Sequence, residues 1–335
     1  MDAYDPNDPT SMGRTLDFKS YRYFTVAGGA APKDPYAGMM EALHDNSIMR
    51  AMTTFLSQAK RPIVAIMGGH GERRDTANFA IVVEIARKLT RSGCLVASGG
   101  GPGAMEATHL GALLADAPDS EVARAVDRLK TYPKLPQNTM DVVADDGTVN
   151  EKILGELHAW AKPAYEIGVE NAERGGTSLA IPTWYYGHEP ISPLASHVAK
   201  YFQNSIREDV LLAMAANGII YTQGAAGTLQ EVFQDAAQNF YRKPNEPFAP
   251  MVFFGKDFWT TKLPAVPLLK ALFTSVGKMT EAEFGKYVVI TDSVDEAVGL
   301  LMGHSPSEEK TARRMVALGF GPIMEASASS LRADA

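Results

Sequence analysis

The sequence predicts an α/β protein: a doubly wound, mostly parallel Rossmann-like sheet with helices on both faces. Three observations predict it. Short continuous apolar runs, the kind buried on both faces of a parallel sheet, recur along the chain. They alternate with stretches whose apolar residues fall at helical spacing. Three of the runs end in glycine-rich turns, at 68–71, 99–103 and 224–227, and ligands of such sheets sit outside the carboxyl ends of the strands.

The elements follow in order. Residues 1 to about 36 hold several Pro, Gly and Asp and no sustained period, and are expected to be irregular. From Tyr36 to Gln58, Met, Leu and Ile recur at helical spacing. Ile63 to Met67 reads as the first strand and stops at Gly68-Gly69-His70-Gly71. A helix follows over Thr76 to Arg91, with Phe79, Val82, Val83, Ile85, Ala86 and Leu89 facing inward. Cys94 to Ser98 repeats the pattern and runs into "GGGPGAMEATHLGALLA". Residues 116–175 interrupt it with a polar, largely helical insertion. Strands are expected again at Ser178 to Ile181, Gly218 to Thr222, 250–255 and from about 287, with a helical segment over Leu194 to Asn217. The resulting division is an N-terminal extension with a helix (1–60), a Rossmann-like domain carrying the insertion (61–304), and a C-terminal helix and tail (305–335), the tail disordered from about Ser327.

At 335 residues, 45% hydrophobic and 21% charged, the chain has ample material for a large core. The net charge of −7 argues against non-specific binding to nucleic acid or to anionic membrane. The start has neither a basic nor an apolar leader region, and no run of 18 apolar residues exists, so a cytoplasmic location is expected. The single cysteine, Cys94, permits no disulfide framework and no cysteine-based zinc site, and reads as a small buried strand residue.

A glycine-rich turn before a helix exposes backbone N–H groups at the positive end of the helix dipole, and so suits an anion. A dinucleotide fits poorly. Arg74 stands where the third Gly of G-x-G-x-x-G belongs, and the second strand ends in Ser98-Gly99-Gly100 rather than in an acid. No Walker A motif is present.

Two stretches carry a family resemblance. "SGGGPGAMEATHLGA" (98–112) resembles the GGGxxGxM(G/E)A segment of the LOG family of nucleotide phosphoribohydrolases. "QGAAGTLQE" (223–231) resembles that family's PGGxGTxxE segment. "RPIVAIMGGHG" and "PMVFFGKDFW" are similar to two of its strands, and the resemblance spans about 45–115 and 178–300. It implies an N-glycosyl hydrolase that splits a nucleoside 5′-monophosphate, or a related phosphorylated small molecule, into free base and ribose 5-phosphate. It implies no metal or redox cofactor, and a homodimer or higher homo-oligomer with sites near the subunit contact. The alternative is a nucleotide-binding or sensing protein of the same fold that has lost turnover.

The implied catalytic residues are Glu231, which would stabilise an oxocarbenium-like ribose and orient water, and Arg207, one residue out of the family register. Gln223, Gly224, Ala225, Ala226, Gly227 and Thr228 would hold the 5′-phosphate. Gly100, Gly101, Pro102, Gly103 and Met105 would line the ribose or base, with Gly68, Gly69 and His70 beside them. The chain departs from the family at Gln223, where Pro is usual, and at Ala225, where Gly is usual.

Plainer readings stand beside these. Thr228-Leu229-Gln230-Glu231 has the spacing of a capping box in the first turn of its helix. Arg207 reads equally as a solvated side chain beside Glu208 and Asp209, and Glu106 as structural. His70 reads as polar surface, and Arg73 and Arg74 as phosphate contacts or solvated charges. His109, His158, His188 and His197 share no metal spacing, and "TWYYGHE" (183–189) either packs in the core or stacks on a base.

Overall fold

Successive side chains of a strand point to opposite faces of its sheet, and the first apolar run divides accordingly. Ile63, Ala65 and Met67 join one hydrophobic core, and Val64 and Ile66 join another on the opposite face. The computed structural model describes residues 3–242 and 248–303. Its strands are β1 (Ile63–Met67), β2 (Leu95–Ser98), β3 (Ser178–Ala180), β4 (His197–Val198), β5 (Ile219–Tyr221), β6 (Met251–Phe254) and β7 (Val288–Thr291). They form one sheet in the order β4-β3-β2-β1-β5-β6-β7, with every pairing parallel. The order reverses beside β1: β2 and β3 continue on one side and β5 to β7 on the other. The fold is therefore α/β and doubly wound, as the sequence predicts, with its topological switch point between β1 and β5.

The helices are α1 (Leu16–Ala27), α2 (Pro35–Ala59), α3 (Ala77–Arg91), α4 (Ala104–Leu113), α5 (Asp119–Leu129), α6 (Glu151–Asn171), α7 (Asn204–Met214), α8 (Ala226–Tyr241), α9 (Val266–Thr274), α10 (Glu281–Tyr287) and α11 (Val294–Gly303). Residues of α2, α7, α8, α9 and α10 build the first core, and residues of α3, α4, α5 and α11 build the second. Helix α3 begins behind Thr76, whose side chain accepts from the Phe79 N–H. The apolar residues expected to face inward from it are all buried.

Two expectations are corrected. The first 36 residues are not irregular. Asp8 caps a 3₁₀ turn, Pro9–Arg14, and Thr15 caps α1, which ends on Gly28 at φ +112°. The signal is a short one: Phe18, Tyr21 and Phe24 are its buried face, and polar residues surround them. The segment 194–217 is helical only over Asn204–Met214, because His197–Val198 pairs with β3 as an edge strand. The N-terminal segment and the insertion, far apart in sequence, share a third core. Met12, Phe18, Tyr21 and Phe24 pack there with Val142, Leu154, Leu157 and Trp160, and with Trp184 and Phe202. The C-terminal helix and tail expected over 305–335 lie outside the described residues.

Candidate functional site

The three glycine turns close the adjacent strands β2, β1 and β5, and their backbones interlock. The Gly69 N–H donates to the Gln223 carbonyl at 2.9 Å, and the Ala104 N–H donates to the Gly69 carbonyl at 3.3 Å. Several of the glycines serve this packing. Gly103 (φ +71°) leaves no room for a Cβ, which would lie 2.5 Å from the Gly69 oxygen. A Cβ on Gly68 would strike Thr222 and Ala104. Gly100 (φ +71°) faces Ala180 and Pro182, and Pro102 is buried. These residues set the turns, whereas Gly101 opens toward a side chain: a Cβ there would lie 2.8 Å from Oε2 of Glu189. Met105 folds back over Gly99 and Gly101. His70 is exposed and lends its carbonyl to the packing against Gly103.

The loop after β5 corrects the capping reading. Helix α8 starts at Ala226, with Ala225 as N-cap and no side-chain cap bond. Thr228 is thus the third helical residue and Glu231 the sixth, in the second turn, so no capping box forms. The first N–H groups of a helix have no intrahelical acceptor, and among the described residues no side chain caps them. Ala225 sits at φ −125°, ψ −148°, extended backbone that alanine adopts without strain. Gly227 borders open space, with nothing within 4 Å of a Cβ placed on it, and Gln223, Ala225 and Ala226 are exposed. Thr228 is buried with its hydroxyl against Gly224.

Arg207 is 7% exposed, not solvated. Its Nε donates to the Ile181 carbonyl at 2.9 Å and its Nη2 to the Gly99 carbonyl at 3.3 Å. The guanidinium therefore spans from α7 to the ends of β2 and β3. Three carboxylates surround this charge. Glu208 lies 3.9 Å away and accepts from Asn204 Nδ2 (2.9 Å) and Gln230 Nε2 (2.7 Å). Burial pushes the Glu231 carboxyl up to about 7, with Arg207 pulling it down and Glu208 pushing it further up. Burial also raises the Glu189 carboxyl, against the pull of His70, Lys200 and Arg207. Nothing in its sequence surroundings marks Glu189, a lone acid between His188 and Pro190. Only the fold carries it to Gly101.

The segment bearing Glu189 is braced from the N-terminal extension. Asp17 accepts from Trp184 Nε1 (2.9 Å), the Ile191 N–H (3.1 Å) and Lys200 Nζ (2.8 Å), and Lys200 Nζ also donates to the Glu189 carbonyl at 2.8 Å. Burial, the largest single influence, would raise the Asp17 carboxyl, but Lys200, His188 and the Ile191 N–H together outweigh it and the net shift is downward.

Other candidates are structural. Arg74 is buried in a bidentate pair with Glu106 (2.7 and 2.6 Å), donates to the carbonyls of Tyr132 and Trp160, and lies 4.1 Å over the Trp160 ring. Arg73 pairs with Asp75 at the surface. His109 bridges Ser98 and Ser178, and burial holds it neutral, down to about 3. His188 lies edge-on to Phe18. A groove of about 360 Å³ is lined by residues of α3 and α5 and shares none with the turns. Among the described residues no cluster of His, Cys, Asp or Glu has metal-ligand geometry, and no helix is long and apolar enough to cross a membrane.

No protein-family model matches the chain, and no curated protein does. Solved structures do. A molybdenum cofactor carrier protein from Chlamydomonas reinhardtii is 17% identical over 72% of this chain and 97% of its own, with a TM-score of 0.38. A second structure of a Moco carrier protein from that organism is 18% identical over 72% and 98%, at 0.38. A molybdenum cofactor binding protein from Rippkaea orientalis is 13% identical over 72% and 96%, at 0.39. The LOG resemblance is corrected here: no family model and no curated protein supports the phosphoribohydrolase assignment, and the solved structures that match are named as molybdenum cofactor carrier and binding proteins. With it fall the hydrolysis of a nucleoside 5′-monophosphate, the enzyme assignment, the nucleotide as partner, and the alternative of a degenerate nucleotide-binding protein. The physical reason lies in what the motifs are. Much of both glycine segments is the packing of turns at the carboxyl ends of a parallel sheet, and the departures at Gln223 and Ala225 fall in the loop that would have had to hold the phosphate.

Proposed function

We propose that the chain is a small-molecule binding protein that holds an oxyanion-bearing ligand at the switch point of its sheet. The observation that carries this reading is the uncapped N-terminus of α8, open at Gly227, in the same loop cluster as the buried guanidinium of Arg207. Helix N-termini stabilise anions through unpaired N–H groups and the dipole. Glu189, Glu208 and Glu231 supply hydrogen-bond acceptors for donor groups on the remainder of the ligand, and protonated Glu231 donates. Such a site binds and orients; no bond-breaking step is required of it.

Calorimetric titration with inorganic phosphate, sulfate, molybdate and the molybdenum cofactor named for the matched structures tests the reading. Saturable binding of at least one oxyanion, weakened by Gly227→Val, supports it. Absence of binding across the panel at pH 6 contradicts it.

A further inference from the structure

The stretch 183–189 divides between core and surface. Trp184 is 5% exposed and tied to Asp17, whereas Tyr185 and Tyr186 are 47% and 50% exposed. The two rings meet edge to face, centroids 5.0 Å apart at 89°. Their loop is braced: the Tyr185 N–H donates to Thr183 Oγ1 at 3.1 Å, and Gly187, at φ +108°, packs on Thr139 and Met140. A hydrogen-bond chain links the rings to the proposed site. Asn204 Nδ2 donates to the Tyr186 hydroxyl (3.0 Å) and to Glu208 (2.9 Å), which accepts from Gln230 (2.7 Å), the neighbour of Glu231.

We propose that Tyr185 and Tyr186 form an aromatic rim that takes the flat ring of the same ligand whose oxyanion rests on α8. This deepens the binding-site reading and rests on it. Two half-exposed tyrosines on a braced loop present one ring face and one ring edge, the geometry in which a third flat ring packs by offset stacking. A second protein copy is the poorer occupant. Two half-exposed rings by themselves fall well short of the roughly 800 Å² per partner of a stable interface.

The test is calorimetric titration of the full chain with inorganic phosphate and with 1-naphthyl phosphate, the latter adding a flat bicycle to the same anion. Wild-type protein is expected to bind the naphthyl ester about fivefold tighter, the scale of one aromatic stacking contact. The Tyr185→Ala/Tyr186→Ala variant should lose that gain and keep its phosphate affinity, and Tyr185→Phe/Tyr186→Phe should retain both. Equal affinities in wild type, or a gain that survives the double alanine change, overturn the rim and leave the anion site standing. Wild-type protein that binds neither compound overturns the anion site, and the rim with it. A change of oligomeric state in the alanine variant with the naphthyl gain intact makes the tyrosines a subunit contact and overturns the rim.

Discussion

The guanidinium of Arg207 reaches the carbonyl oxygen of Gly99 at 3.3 Å, and so joins the first turn of α7 to the glycine turn after β2. A single buried cation thereby fixes two loops of the proposed site and supplies part of its positive charge.

Arg207→Lys is expected to weaken both roles. Lysine keeps the charge but not the planar fork that serves the carbonyls of Ile181 and Gly99 together. One buried carbonyl loses its donor, a loss of about 1–3 kcal/mol by urea denaturation. Oxyanion affinity measured by calorimetry should fall about tenfold, about 1.4 kcal/mol.

Glu231 makes the protein pH-sensitive. Its carboxyl is raised to about 7 in the fold, against about 4.3 in an unfolded chain. A raised carboxyl favours the protonated form in the folded state, so its contribution is fully present below about pH 4.3 and is lost as pH rises through about 7. Glu231→Gln should therefore raise the Tm at pH 8, by the equivalent of about 1–3 kcal/mol allowing for partial exposure, and change little at pH 4. Oxyanion affinity of the wild type should drop between pH 6 and 8, and that drop should be absent from the variant.

Gly68 and Gly227 separate packing from binding. Gly68→Ala forces a methyl against Thr222 and Ala104, and is expected to lower stability by about 1–3 kcal/mol. Gly227→Ala meets open space in a helix, so stability should hold or rise by up to about 1 kcal/mol. Its oxyanion affinity should nevertheless fall. Thermal melts and calorimetry on the two variants give opposite patterns.

Glu106→Gln tests a residue adjacent to the turns that lies outside the site. It leaves the buried Arg74 charge without its bidentate partner, at an expected loss of about 3–5 kcal/mol in chemical denaturation. Protein that remains folded should bind oxyanions as the wild type does.

The sheet was legible because most of its strands are buried on both faces and read as uninterrupted apolar runs. Six of the seven were expected within a residue or two, and the seventh, His197–Val198, is too short to show a pattern. Helix α1 escaped because its three buried aromatics are spread among polar residues. In the site, the turns were legible as glycine clusters, since close packing at strand ends demands them. The roles of single side chains were not. The Thr228–Glu231 spacing matched a cap, but the helix starts two residues before Thr228. Burial of Arg207, the approach of Glu189 to Gly101 and the pairing of Arg74 with Glu106 depend on contacts across 26 to 108 residues of chain, which no local pattern encodes. The motif resemblance failed for the same reason: it matched turn-building residues, which fold dictates, more closely than ligand-holding ones.

The most direct test of the account is amide NMR of the full chain during titration with inorganic phosphate at pH 6. The N–H resonances of Ala226, Gly227 and Thr228, together with the Arg207 side-chain Nε–H, should move saturably with a single dissociation constant. If those resonances stay still while the anion is added, or if shifts scatter over exposed lysines without saturating, α8 holds no oxyanion and the proposed function is wrong.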